Sequence, residues 1–288
     1  MVFGEPNSPF RSGGYLSFWS ACYVGACTLL AGAFLETGPL VIPACAAFLI
    51  ALQVYTMHRL RRATSHAASS TARSVFIVRH RRMMVATTAI SGVAAAIVAW
   101  FVHPLAEIFV FGAPVGTILY AIGRRGMQVR DVMVLKNAMV GVSISVLSIG
   151  LVLLGSVDVP GWGPVLVVGL FLGGVVFVDA MLCDIDDIES DSITSTCTVP
   201  RFAGIGRTLA TADVLACILT AGIIAGALAG LVRLEVAVVY SGLLLASLLV
   251  LNPLVPSGAW RNAMDLRLPM CVAGGWTIVI LLTSRAPA

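Results

Sequence analysis

The stretch WGPVLVVGLFLGGVVFVDAMLCDIDDIESD, residues 162–191, decides how the chain folds. From 162 to 182 it is apolar apart from Asp179, and a helix needs about 20 such residues to cross the hydrocarbon of a bilayer. Positions 184 to 191 then hold five acids: Asp184, Asp186, Asp187, Glu189 and Asp191. A carboxylate at the bilayer centre costs about 2.5–3.5 kcal/mol, so this cluster belongs where it meets water, metal or cations. One stretch thus defines a span and its polar end.

Outward from it, apolar windows of the same size fall near 17–35, 38–57, 83–102, 105–123, 133–155, 209–231, 234–252 and 268–284. Together with 162–182 they predict an all-α, polytopic membrane bundle of about nine transmembrane helices. The composition agrees, with 59% hydrophobic and 11% charged residues and a mean hydropathy of +0.98. A soluble domain carries roughly 25% charged residues. No hydrophilic block is large enough to fold apart, which predicts one transmembrane domain over 1–288. The seven cysteines are scattered without metal-ligand spacing and read as small apolar side chains. The N-terminal segment has an acid and two prolines before a full-length apolar run, so no cleaved leader is expected.

His103-Pro104 is the narrowest division between windows. Lys and Arg accumulate on the cytoplasmic side of membrane proteins, which tests it. With nine spans, sixteen of the 18 basic residues fall on one side and only Arg233 and Arg285 on the other. The N-terminus is therefore expected in the cytoplasm and the C-terminus outside. The outer connections are short, and the inner ones, 58–82 and 184–208, are long and polar. Function is expected on that inner face.

If the helix of 162–182 continues through the acids, Asp184, Asp187 and Asp191 share one side at intervals of three and four residues. Three neighbouring carboxylates repel unless a cation joins them, and Mg²⁺ characteristically bridges carboxylates to a substrate phosphate. The other reading is a solvated acidic loop that ends a helix. The loop after the second window, with His58, His66, His80 and seven arginines from Arg59 to Arg82, contains no acid. It suits anionic lipid headgroups or direct phosphate binding. Nucleic acid is not an expected partner of a loop pinned to a membrane.

The pattern Asp184, Asp187, Asp191 followed by Thr198-Val199-Pro200 resembles the second aspartate-rich motif of the UbiA superfamily of intramembrane prenyltransferases. YAIGRRGMQVRDVMVLKNAMVG, residues 120–141, resembles the family's connection between its fourth and fifth helices, including Lys136-Asn137. The resemblance implies a UbiA-like bundle around a cavity. It further implies transfer of an isoprenyl group from an isoprenyl diphosphate to a lipophilic acceptor, with membrane lipid around the site. Asp184, Asp187 and Asp191 are then the catalytic and Mg²⁺-binding residues. Arg62, Arg124, Arg130 and Lys136 are candidates for diphosphate contact, and Tyr55 and Tyr120 for facing the allylic carbocation.

The chain departs from the family where a first aspartate motif would stand: His58, Arg62 and His66 occupy those positions, and no acid lies between Glu36 and Glu107. Arginines near Arg59 and Arg62 acting in place of metal is one consequence. The alternative is a diverged noncatalytic UbiA-like lipid-binding membrane protein.

Overall fold

The computed structural model describes residues 13–37, 40–65, 72–120, 132–188, 191–192, 196–252 and 260–283. Its helices are α1 (Phe18–Phe34), α2 (Val41–Ser65), α3 (Ala72–Arg79), α4 (Arg81–Val102), α5 (Glu107–Tyr120), α6 (Met133–Gly155), α7 (Trp162–Cys183), α8 (Val199–Ala203), α9 (Ile205–Leu228), α10 (Leu234–Leu251) and α11 (Trp260–Thr283). Among the described residues there is no strand. Seven helices, α2, α4, α6, α7, α9, α10 and α11, are long and apolar enough to cross a bilayer. The remaining two predicted windows hold shorter apolar helices, Phe18–Phe34 and Pro104–Leu119.

The division at His103-Pro104 has a local cause. Proline disfavours helical backbone in the residue before it, and His103 is extended at φ −172° and ψ 142°. Its Nδ1 accepts a hydrogen bond from the Leu105 backbone N–H at 3.1 Å, which starts a short 3₁₀ turn.

Two boundaries differ from expectation. The basic segment after the second window is largely helical, because α2 runs on to Ser65 and α3 follows. The last helix begins at Trp260, well before 268, so Arg261 and Arg267 lie inside it and not in an inner loop. Hydropathy penalises each charge alone. Here both arginines are neutralised by acids of α7 or its C-terminal turn, which makes the helical position tolerable.

Helix α1 sits at the centre, packed against α2, α6, α7 and α11. Its inward residues Cys27, Leu30, Ala31 and Phe34 are buried, and the Phe34 ring meets Phe171 and Tyr240. Outward faces such as Ile90, Val93, Ile97 and Phe101 on α4 remain exposed and apolar, as lipid contact requires. Helices α6 and α7 approach so closely that a Cβ on Gly141 would lie 2.5 Å from the Gly173 carbonyl oxygen. Ser145 Oγ closes that seam on the Gly169 carbonyl at 3.0 Å. Gly230, by contrast, serves the turn after α9 with φ +74°, and Gly222 faces open space.

Candidate functional site

The acids after α7 stay on one side although the helix itself ends at Cys183. Asp184 N–H donates to Ala180 O, Asp187 N–H to Asp184 O and Asp191 N–H to Asp187 O, a run of single turns that preserves helical direction. Asp184, Asp187 and Asp191 are 4%, 8% and 2% exposed, which excludes a solvated loop.

Each of the three carboxylates meets a cation. Lys136 Nζ, on the first turn of α6, lies 2.6 Å from Asp184 Oδ1 and 3.8 Å from Asp191 Oδ2. Arg261 Nη1 lies 2.7 Å from Asp187 Oδ2. Asn137 Nδ2 donates to Asp184 Oδ2 at 3.3 Å. Burial nevertheless pushes the Asp184 carboxyl up from the ordinary carboxylate value, against the opposing pull of the Lys136 ammonium.

The start of α11 is docked on the same turn. The Trp260 indole N–H donates to the Leu182 carbonyl at 3.1 Å, and the Arg261 backbone N–H donates to Asp186 Oδ2 at 2.8 Å. A carboxylate at a helix N-terminus satisfies orphan donors and complements the dipole. Arg201 of α8 donates to the Thr196 and Asp191 carbonyls at 2.8 and 3.3 Å, so it ties the acidic segment together.

Lys136 is the one sequence-predicted diphosphate contact whose side chain is placed, and it stands against the acids. Arg124 and Arg130 lie outside the described residues, as does His66. Arg62 is on α2, but its side chain and that of Tyr120 are also outside the described set. Arg59 donates to the Gly14 carbonyl, which turns this member of the basic stretch toward the N-terminal segment.

Among the described residues, no three His, Cys, Asp or Glu side chains converge as a preformed metal cluster. The donor set still suits Mg²⁺, which takes hard oxygen ligands. Beside the carboxylates, the fully buried Asn137 leaves its Oδ1 without a hydrogen-bond partner. A buried acceptor of that kind needs a water or a cation.

Arg261 and Asp186 entered the sequence reading only as charges. Asp179 proves to be an ion pair deep in the bundle: Arg267 Nη2 lies 2.5 Å from its Oδ1, and Tyr23 Oη donates to Oδ2 at 2.6 Å. Asp213 accepts from Asn252 Nδ2 at 2.6 Å.

No family model and no curated protein matches this sequence. Solved structures do. A UbiA homologue from Archaeoglobus fulgidus bound to GPP and Mg²⁺ is 15% identical, with 94% of this chain and 97% of that chain covered at a TM-score of 0.62. The apo UbiA homologue from Aeropyrum pernix K1 is also 15% identical, with 92% and 98% covered at a TM-score of 0.61. These alignments, which cover more than nine-tenths of both chains, identify the chain's fold as that of the UbiA homologues.

Proposed function

We propose that this chain is a member of the UbiA superfamily and an intramembrane prenyltransferase, acting on an isoprenyl diphosphate and a lipophilic acceptor. The observation that carries the reading is the buried set Asp184, Asp187 and Asp191 at the end of α7, with Lys136 and Arg261 against it and the orphan Asn137 Oδ1 beside it. Six polar groups from three helices meet at one end of an apolar bundle. That arrangement suits an amphiphile with a charged head and an apolar tail.

In this reading Asp184, Asp187 and Asp191 would hold Mg²⁺, which supplies charge stabilisation for the departing diphosphate. Lys136 and Arg261 would hold diphosphate oxygens, and their positive charge would stabilise the negative charge that grows on the leaving group. Arg62, Arg124 and Arg130 are proposed as further diphosphate contacts. The site mouth faces the cytoplasm and the C-terminus lies outside. The GPP and Mg²⁺ bound by the Archaeoglobus homologue support the substrate class by fold analogy.

Purified protein in lipid nanodiscs, given Mg²⁺ and labelled isoprenyl diphosphates of graded length, binds at least one of them saturably, and Asp187→Asn abolishes turnover. Binding of none would overturn the reading. The absence of acids at His58, Arg62 and His66 favours a second reading, a noncatalytic lipid-binding relative. It predicts saturable binding without diphosphate release.

A further inference from the structure

Helix α3 and the first turn of α4 carry the end of the basic segment, and the carboxylate set makes no use of them. The two helices join at His80, where hydrogen bonds of helical spacing run on: His80 N–H donates to Phe76 O and Met84 N–H to His80 O, both at 3.0 Å. One side of this unit is held by the protein. Ile77 and Met84 are buried against Leu16 and Leu60, and the Phe76 ring meets Tyr15 at 5.3 Å. At about 100° per residue, Val75, Val78, Arg79 and Arg82 fall on the opposite side, with Arg81 on the flank. Val75 and Val78 are 58% and 57% exposed, and the three arginines are exposed with them.

Helix length sets the depth of this face. α4 starts at Arg81, and its 22 residues rise about 33 Å against about 30 Å of hydrocarbon, so the arginines stand where lipid phosphates begin. Among the described residues, no ion pair includes Arg79, Arg81 or Arg82. The sequence places no acid between Glu36 and Glu107 that could neutralise them locally. α3 packs against α2 and α4, whereas the aspartates are met by Lys136 of α6 and Arg261 of α11. The outward arginines therefore form a surface apart from the carboxylates, with two exposed valines beside them that a free anion would leave uncovered.

We propose that the outward face of α3 and the first turn of α4 binds an anionic phospholipid. Its phosphate accepts charge-assisted hydrogen bonds from the Arg79 and Arg82 guanidinium groups, and its glycerol and upper acyl chains cover Val75 and Val78. Arg81 adds positive potential from the flank. The charge selects the lipid: a zwitterionic headgroup already carries a cation beside its phosphate, whereas an anionic one brings the counter-charge that the protein does not supply here. Binding at this face is independent of the prenyltransferase reading.

The test titrates the full chain in detergent with phosphatidylglycerol or phosphatidylcholine and counts bound lipid by native mass spectrometry. Wild type binds phosphatidylglycerol more tightly, and soluble glycerophosphoglycerol at the same concentration does not displace it. Arg79→Gln and Arg82→Gln each weaken phosphatidylglycerol binding by about 10–10²-fold, the range of a hydrogen bond to a charged group. Arg81→Gln costs no more than about fivefold, the share of a cation merely near the surface. Val75→Asn with Val78→Asn keeps both arginines and still weakens binding. Equal affinity of wild type for the two lipids overturns the anionic class. Displacement by glycerophosphoglycerol, or unchanged binding in the valine variant, overturns the lipid and marks a site for soluble phosphate. Losses at Arg81 equal to those at Arg79 and Arg82 overturn the built face and leave only a general surface charge. The lipid comparison and the displacement use wild type, so they decide even where a variant fails to fold.

Discussion

At the scale of single residues, Asp184 is the carboxylate on which burial and charge compete most directly. Burial raises its affinity for a proton while Lys136 at 2.6 Å opposes the rise, and burial prevails. The sign for stability follows: a group that binds protons more tightly folded than unfolded stabilises the fold below its unfolded value, and that contribution is lost as pH rises through the folded one. For function the sign is opposite, since metal needs the ionised form. Binding of isoprenyl diphosphate with Mg²⁺ should therefore fall on acidification at a pH above the ordinary carboxylate value of 3.8. Asp184→Asn should weaken it at least about tenfold, the lower end even for groups that only support a metal ligand. Isotherms between pH 4 and pH 7 check both statements. Binding that stays flat over this range in the wild type, with no loss in the variant, would remove Asp184 from the site.

At the scale of helices, the α6/α7 seam and the α7/α11 junction hold the site in place. A methyl on Gly141 meets a backbone oxygen, which cannot rotate away, so Gly141→Ala should destabilise the bundle by about 1–3 kcal/mol through overpacking. The seam carries Lys136 on one helix and Asp184 beyond the other, so a displaced seam also misplaces the pair. Trp260 is fully buried and its indole N–H closes the last turn of α7, so Trp260→Ala should cost about 3–5 kcal/mol. Thermal unfolding in detergent, followed alongside diphosphate binding, measures both. Most spans were legible in the sequence because an apolar window of fixed length reports a crossing helix whatever its neighbours. That Asp184, Asp187 and Asp191 share one side was legible because their spacing survives the irregular turn. The start of α11 was not: Arg261 and Arg267 read as loop charges until Asp187 and Asp179 were known to face them, 74 and 88 residues away. Pairing at such separation leaves no local trace. Arg124 and Arg130 lie outside the described residues, and their proposed contacts rest on the sequence alone.

At the scale of the molecule, the charge inside the bundle and the charge at its ends answer different questions. Asp179, Arg267 and Tyr23 join α7, α11 and α1 in the interior, and Arg267 reaches the Leu244 carbonyl of α10 at 2.7 Å. Arg267→Met strands a buried carboxylate and should cost about 3–5 kcal/mol, whereas adding Asp179→Asn should recover most of it, since the amide still accepts from Tyr23. Arg267 and Arg261 are thus held by packing and no longer bear on which way the chain crosses. The orientation rests on the remaining basic residues, chiefly those from Arg59 to Arg82, and it can be read from the two ends of α7. That helix has 22 residues, a rise of about 33 Å, so Asp158 before it and Cys197 after it lie on opposite sides of the hydrocarbon. Cys197 is exposed and Asp158 sits in the exposed turn between α6 and α7. In sealed vesicles with the cytoplasmic face inward, a membrane-impermeant maleimide should add one label to Asp158→Cys relative to the parent chain. Cys197 should react only after permeabilisation. Label at Cys197 in sealed vesicles, with Asp158→Cys protected, would invert the bundle and place the aspartates, Lys136 and Arg261 on the outer face, where no cytoplasmic pool of isoprenyl diphosphate could reach them.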